Sequence, residues 1–124
     1  NLLVPGVKEA LQQTKATVLY IVNIMTKYGE TDTFTVYDFV RNLEEYIGRS
    51  TDGIIYNATK PTHKILAQYR EQKAEFVEMD DKGAVWGNRK MYAADLLRLG
   101  RGMVRHDSKK LASLISDIIS SSRP

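Results

Sequence analysis

The sequence is poor in the residues that mark secreted, membrane-bound or disulfide-stabilised proteins. Its 124 residues include no cysteine, three prolines and one tryptophan. The absence of cysteine excludes disulfide bonds, thiolate nucleophiles and cysteine-ligated zinc. No apolar run approaches the roughly 20 residues of a membrane-spanning helix, and no signal-peptide pattern opens the chain. We therefore expect a cytoplasmic protein without a membrane span.

Two further features limit the classes of ligand. Neither GxGxxG nor GxxxxGK occurs, so the chain carries no glycine-rich phosphate loop of these types. The 18 basic and 15 acidic residues give a net charge of only +3. The densest basic stretch consists of Arg98, Arg101 and Arg105, followed by Lys109 and Lys110. Nucleic-acid-binding surfaces usually interleave a basic stripe with aromatic side chains. That pattern is missing here, so we expect no nucleic-acid partner.

Apolar runs alternate with helical spacings along the chain. Residues 18–22 and 53–57 form short apolar runs that are typical of strands buried on both faces. Thr35 and Asp38 are spaced as a capping box at the start of a helix, and Gly48 is placed to end it. Strands that alternate with helices predict an α/β fold, in which a three-layer, mostly parallel sheet carries helices on both faces.

The other predicted elements follow the same alternation. A helix is expected over residues 7–14, Pro61 suits the first turn of a third helix, and Ser108 is placed to cap a last helix. We predict strands over residues 75–79 and 103–105, a turn over residues 80–83, and either a strand or a helix over residues 91–97. The last helix is expected to bury an apolar stripe that consists of Leu111, Leu114, Ile115, Ile118 and Ile119.

A polar loop follows the first predicted strand, and an asparagine ends the second. In open α/β sheets, ligands bind beyond the carboxyl ends of the strands. An asparagine there can bind a base, a sugar hydroxyl or a phosphate oxygen, or it can tie down its own loop through an Asx turn. Both interpretations stay open. The ligand-binding residues predicted in this region are Asn23, Thr26, Glu30, Thr31 and Asn57.

Two carboxylates near this loop are candidates for a magnesium site. Glu30 or Asp38 could hold Mg²⁺ through water, because magnesium sites often combine one or two carboxylates with a phosphate of the ligand. The alternative is that Asp38 caps a helix and Glu30 is solvated at the surface. Mg²⁺ bound together with a nucleotide is therefore the only cofactor that the sequence suggests, and it rests on these two side chains.

Arg105, His106 and Asp107 stand between a predicted strand and a predicted helix. The Arg105 guanidinium has the fork geometry for a diphosphate, and the first turn of the helix is expected to offer free N–H groups to an anion. We predict Arg105 as a ligand-binding residue and a structural role for His106. The alternative is that Asp107 or Ser108 caps the helix. No nucleophilic serine or cysteine is evident beside His106, so we predict no catalytic residue.

Three segments resemble one protein family. They are NLLVPGVKEA at residues 1–10, NIMTKYGETD at residues 23–32 and VRHDSKKLA at residues 104–112. Together they are similar to the family that joins the 2-phospho-L-lactate transferases (CofD-like) and the bacterial gluconeogenesis factors (YvcK-like). The resemblance implies a Rossmann-like fold in which residues 1–124 are the C-terminal part of a single domain. Family members also carry an N-terminal strand and a phosphate loop, so this chain is expected to be incomplete alone, and either to expose a large apolar surface or to self-associate as a homo-oligomer.

The arginine-histidine-aspartate tail resembles the gluconeogenesis-factor branch. That branch implies binding of a nucleotide sugar, UDP-N-acetylglucosamine, with a role in carbon metabolism, cell-wall synthesis and cell shape. The same branch implies a non-enzymatic regulator in which Tyr69 contacts the nucleotide sugar. Without the resemblance, the helical spacing would assign Tyr69 to the core. The alternative function is a transferase that moves a phospholactyl group from a nucleotide donor to a deazaflavin acceptor.

Overall fold

The computed structural model describes residues 5–79 and 86–121. The predicted turn over residues 80–83 therefore lies outside the described residues. The helices are α1 (Val7–Gln13), α2 (Val36–Ile47), α3 (His63–Glu71) and α4 (Ser108–Ser121). The strands are β1 (Leu19–Ile21), β2 (Gly53–Asn57), β3 (Lys90–Ala94), β4 (Leu97–Gly100) and β5 (Met103–His106).

The first three strands form a parallel sheet in the order β1-β2-β3. The prediction of a mostly parallel α/β sheet is confirmed. Strands β4 and β5 pair antiparallel in a separate two-stranded hairpin. Residues 91–97, which the sequence left open between strand and helix, divide between β3 and the start of this hairpin. The strand predicted over residues 75–79 is reduced to a single bridge between Phe76 and Met25.

Two neighbouring isoleucines on β2 establish the layers. Ile54 and Ile55 are fully buried, and because adjacent strand residues point to opposite faces, they belong to two separate cores. Ile54 packs in the core that holds Val36 and Phe39 of α2. Ile55 packs with Ile118 of α4. Helices therefore cover both faces of the sheet, as predicted.

The apolar stripe of α4 is buried less completely than predicted. Ile118 is buried, whereas Leu111, Leu114 and Ile115 are partly buried against the same core. Ile119 is 46% exposed, so the prediction of its burial was wrong. The sheet has three strands in the described part of the chain. Ile119 lines a cavity of about 540 Å³ at the rim of this core.

The helix ends follow local capping chemistry, with two corrections. Thr35 and Asp38 form the predicted capping box, and Gly48 ends α2 in the left-handed conformation at φ 74°. Pro61 precedes α3 and does not lie in its first turn as predicted, because Thr62 is the N-cap, whose hydroxyl accepts a hydrogen bond from Ile65 N. Ser108 is the first helical residue of α4, so it does not cap that helix as predicted.

A polar cluster ties α2 to the amino ends of β2 and β3. The Glu44 carboxylate accepts hydrogen bonds from Thr51 N at 2.7 Å and from Arg89 Nε at 2.7 Å, and it also contacts Arg89 Nη2. Burial alone would raise the pKa of Glu44. The hydrogen bonds from Arg89 and Thr51 outweigh that effect and hold the pKa below its ordinary value. This cluster fixes the end of the sheet that lies opposite the predicted site.

Candidate functional site

Two of the predicted loop residues line one cavity. Asn23 and Thr31 share a space of about 430 Å³ between β1 and α2. The Asn23 side chain is exposed and makes no hydrogen bond within the described residues. Burial raises the pKa of Tyr20 to about 12, so its phenol stays protonated and can donate. The remaining residues of the lining are Phe39, Asn42, Leu43 and Tyr46.

The other two loop residues lie outside that lining. Thr26 is buried, and it holds the loop to the segment after α3, because Thr26 N donates to Glu75 O at 2.7 Å and Thr26 Oγ1 accepts from Glu75 N at 2.9 Å. Glu30 is exposed and forms an ion pair with Lys27 at 3.0 Å. Thr26 therefore positions the loop from inside, whereas Glu30 faces solvent.

The two magnesium candidates are already engaged with neighbouring groups. Asp38 Oδ2 accepts hydrogen bonds from Thr35 N at 2.9 Å and from Thr35 Oγ1 at 3.0 Å. Glu30 is paired with Lys27. Across residues 5–79 and 86–121, no group of three or more acidic, histidine or cysteine side chains is arranged to hold a metal ion. A magnesium ion here would depend mainly on oxygen atoms of the ligand.

Asn57 connects the sheet to the hairpin. Its Oδ1 atom accepts from Leu96 N at 3.0 Å and from Thr59 N at 3.3 Å, and its Nδ2 atom donates to Thr59 O at 2.7 Å. The side chain is buried, and its local bonds are those of the loop-tying alternative. Because it also holds Leu96, Asn57 positions the residue that precedes β4 relative to β2.

The hairpin turns sharply through two residues with positive φ. Arg101 has a φ of 56° and Gly102 a φ of 72°, as a type I′ turn requires, and this turn matches the twist of the paired strands. The residues that flank such a turn are hydrogen-bonded to each other. Hydrogen-bonded and non-hydrogen-bonded residue pairs alternate along an antiparallel hairpin. Leu99 and Val104 are therefore a non-hydrogen-bonded pair, and their backbone N–H and C=O groups point away from the partner strand. One outward donor, Val104 N, is therefore free to bond to a group beside the hairpin.

Tyr69 of α3 is the acceptor for the Val104 amide. Its phenolic oxygen accepts a hydrogen bond from Val104 N at 2.7 Å. Tyr69 thus contacts the residue that precedes Arg105 on β5, although 35 residues separate Tyr69 from Val104 in sequence. Arg105 is exposed, and the described residues make no side-chain hydrogen bond or ion pair with it. The structure thus places one predicted ligand-binding residue, Tyr69, against the strand that carries another, Arg105.

Two amides in the first turn of α4, Lys109 N and Lys110 N, are not free as the sequence led us to expect. Asp107 Oδ1 accepts from both Lys109 N and Lys110 N at 3.0 Å, so this carboxylate is the helix cap. Those bonds, with the nearby charges of Lys110 and Arg98, hold the pKa of Asp107 below its ordinary value. The expectation that these amides would bind an anion was wrong, because the anion already there is Asp107.

His106 is half-buried between β5 and the end of β1. Burial lowers its pKa, although a hydrogen bond with the Val22 backbone acts in the opposite direction. Its Nε2 atom is buried and has no hydrogen-bond partner in the part of the chain that the structure describes. The contact with Val22 is the backbone bond anticipated for a structural histidine.

Three residues near the candidate site were not singled out from the sequence. Tyr20 and Asn42 line the cavity of Asn23. Arg98 lies directly opposite Arg105 in the hairpin. The dense basic stretch was the available signal for Arg98. Tyr20 and Asn42 gave none, because one lies in an ordinary strand and the other on an ordinary helix.

The chain matches the family model described as "2-phospho-L-lactate transferase CofD" over residues 1–97. It is 37% identical over 123 residues to a Thermotoga maritima protein and 33% identical over 120 residues to an Aquifex aeolicus protein; both are named "Putative gluconeogenesis factor". It covers 38% and 37% of their lengths, and they cover 95% and 96% of this chain.

A solved structure has the same fold. The crystal structure of a Bacillus halodurans protein of the UPF0052 family superposes with a TM-score of 0.83 at 30% sequence identity. The match covers 92% of this chain and 37% of that chain. The chain therefore spans a little over a third of the length of these relatives.

Proposed function

Because this chain belongs to the CofD family, we propose that it is part of a gluconeogenesis factor that binds a nucleotide sugar, with UDP-N-acetylglucosamine as the ligand. The observation that carries the proposal is the hydrogen bond between Tyr69 and Val104, the residue next to the exposed Arg105 on β5. A guanidinium binds diphosphate oxygens in a planar, bidentate manner. Tyr69 holds the strand that presents Arg105, and its ring is available to the sugar or base.

The cavity beside β1 supplies a second contact region in this proposal. Asn23 offers an amide that no described residue occupies, and Thr31 lies with it in the lining. Tyr20 adds a phenol that stays protonated at neutral pH. Such a mixture of apolar walls and a few polar groups is typical of small-molecule sites. We assign the diphosphate to Arg105 and polar groups of the sugar or base to Asn23 and Thr31.

We also propose that residues 1–124 are the C-terminal part of one larger domain. β1 lies at one end of the described sheet. Its Tyr20 and Leu19 each line a cavity, on opposite faces of the sheet. An edge strand flanked by unfilled space on both faces is the arrangement that a further strand and its helix would complete. This chain covers 38% and 37% of the lengths of the two relatives, so they have enough further residues to supply such a strand and helix.

Thermal unfolding of the full-length protein with UDP-N-acetylglucosamine, UDP and N-acetylglucosamine tests the proposed ligand. A ligand at 100 times its dissociation constant stabilises the folded state by about 2.7 kcal/mol, so the nucleotide sugar should raise the melting temperature most. The separate sugar should have little effect. Equal, unshifted melting curves with all three compounds would contradict the proposal. Residues 1–124 alone should show a much smaller shift than the full-length protein.

The transferase function is the second candidate, and the family match supports it. We link the nucleotide-sugar function instead to control of carbon metabolism, because the relatives are named as gluconeogenesis factors. The roles in cell-wall synthesis and cell shape are proposed from the resemblance of the arginine-histidine-aspartate tail alone. Release of a nucleotide from a phospholactyl donor in the presence of a deazaflavin acceptor would favour the transferase. A full-length protein that binds the nucleotide sugar without turnover favours the regulator.

A further inference from the structure

The hairpin register brings a second arginine to Arg105. Arg98 of β4 and Arg105 of β5 are direct cross-strand partners. Directly opposite residues of an antiparallel pair project from the same face, and counting back from the turn makes this a hydrogen-bonded pair with Cα atoms about 5.5 Å apart. Both side chains are exposed. Two guanidinium groups therefore stand side by side on one face of the hairpin.

This arrangement is unfavourable for the hairpin alone, because like charges directly opposite each other on a sheet are destabilising. No carboxylate among the described residues forms an ion pair with Arg98 or Arg105. Asp107 lies near enough to interact with Arg98, but its Oδ1 atom is committed to two amides of α4. The pair thus keeps an excess of positive charge that an anion from solution would neutralise.

The space in front of the arginine pair is open. Gly100 is the next residue on the same face, and a Cβ built there would meet no atom within 4 Å. Its cross-strand partner Met103 is 55% exposed and offers an apolar surface beside the charges. A diphosphate could therefore approach both guanidinium groups, with the group attached to it lying over Gly100 and Met103.

We propose that Arg98 and Arg105 form a two-arginine clamp for the diphosphate of the ligand, so that Arg98 is a binding residue equal in kind to Arg105. This inference rests on the proposed function. It replaces the amides of α4, which Asp107 occupies, as the second source of positive groups. A clamp of two charges selects a diphosphate over a monophosphate, because each phosphate group then has its own bidentate donor.

Calorimetric titration of the full-length protein with UDP-N-acetylglucosamine and with UMP tests the clamp. Arg98→Gln should weaken binding of the nucleotide sugar roughly 10- to 100-fold, which is the range of one charged hydrogen-bonding group. Binding of UMP should weaken less. Arg98→Lys should restore part of the affinity, since the ammonium retains the charge and loses the planar fork.

Arg101→Asn is the matched control. It removes the same charge from the same hairpin, and Asn-Gly is favoured in a type I′ turn, so the turn is retained. It should bind within about twofold of wild type, as expected for a charge that only contributes to the distant field. If Arg98→Gln and Arg101→Asn bind alike, Arg98 acts only through net charge and the clamp is overturned.

Two further outcomes separate this proposal from the one on which it rests. If wild-type protein binds no nucleotide or nucleotide sugar, the proposed function fails and the clamp fails with it. If wild type binds and Arg105→Gln is weakened while Arg98→Gln is not, the proposed function stands and the clamp alone is wrong. The double variant should lose less than the product of the two single losses, because each arginine needs the other to hold the diphosphate in register.

Discussion

At the amino ends of the parallel strands, the Arg89 side chain is only 20% exposed and lies against the Glu44 carboxylate. At the carboxyl ends, Arg98 and Arg105 are exposed and face each other across the hairpin. The same residue type therefore has an ion-pair partner at one end and, among the described residues, none at the other. This difference indicates that Arg89 serves the fold, whereas the other two are available to a ligand.

The polar ends of the strands differ in the same way. Near Arg89, Thr51 donates both its amide and its hydroxyl to Glu44, so the carboxylate is bonded from several sides. Near Arg105, the carboxylate of Asp107 bonds to helix amides instead of to the arginine. The guanidinium groups of Arg98 and Arg105 thus have no ion pair with the Asp107 carboxylate, which only acts on Arg98 through its nearby charge. Stability and binding should consequently respond to mutations at opposite ends of the sheet.

The largest expected effect is on stability, at the amino end. Arg89→Met should lower the free energy of unfolding of the full-length protein by about 3 kcal/mol, because it leaves the largely buried Glu44 without its charged partner. Urea denaturation measures this change. Arg41→Met is the control, since Arg41 and Glu45 form an exposed ion pair that contributes little. Equal losses in both variants would contradict the structural role of Arg89.

The second effect is on binding, at the carboxyl end. Arg105→Ala should weaken nucleotide-sugar binding by roughly 1.5–3 kcal/mol, the value of a hydrogen bond to a charged group. Its unfolding midpoint in urea should stay close to that of wild type, because the side chain has no described partner. Calorimetric titration measures the affinity. A variant that unfolds early and binds normally would reverse the contrast between the two ends.

Tyr69→Phe should have a smaller effect at the carboxyl end. It removes the acceptor of Val104 N, which should cost about 0.5–1.5 kcal/mol of local stability. Hydrogen exchange of the Val104 amide should therefore become faster, while the amides of β2 keep their protection. Tyr28→Phe is the control, because the Tyr28 ring is exposed and keeps its contact with Lys73. Unchanged exchange at Val104 would show that the bond does not hold the hairpin.

The smallest effect is a dependence on pH. The pKa of Glu44 is lower in the folded protein than its ordinary value of 4.5, so Glu44 contributes stability above about pH 4.5 that is lost as the pH falls through its folded pKa. The pKa of Asp107 is also lowered in the folded protein, so its contribution to stability is lost over the same direction of pH change. The stability of wild type as a function of pH therefore does not isolate the contribution of Glu44. The difference between wild type and Glu44→Gln should shrink on acidification. A difference that is constant with pH would contradict this assignment.

Local signals in the sequence predicted much of the layered fold. The capping box and Gly48 defined both ends of α2, because capping depends on side chains within a few residues of the helix end. The apolar run over residues 53–57 gave β2 with its observed bounds. Residues 91–97 stayed ambiguous, since a short apolar run does not distinguish strand from helix.

The candidate site could be predicted only in part. Tyr69 and Arg105 were named from a resemblance, and the ligand contacts of all the predicted residues stay predictions. Ser108 was predicted as the cap of α4, but the structure has its neighbour Asp107 in that role, because the helix begins at Ser108. The roles of Thr26 and Asn57 could not be assigned either, because each bonds to a segment about 40 to 50 residues away.

The sequence by itself determined which stretches become strands and helices, that the sheet is mainly parallel, and where its polar carboxyl ends lie. Those properties depend on spacings of a few residues and on the burial of apolar side chains. Tertiary structure alone decided that Tyr69 bonds to Val104, that Arg98 faces Arg105, and that Arg89 is compensated by Glu44. Each depends on strand register or on helix docking, which bring distant residues together through interactions that no local pattern encodes.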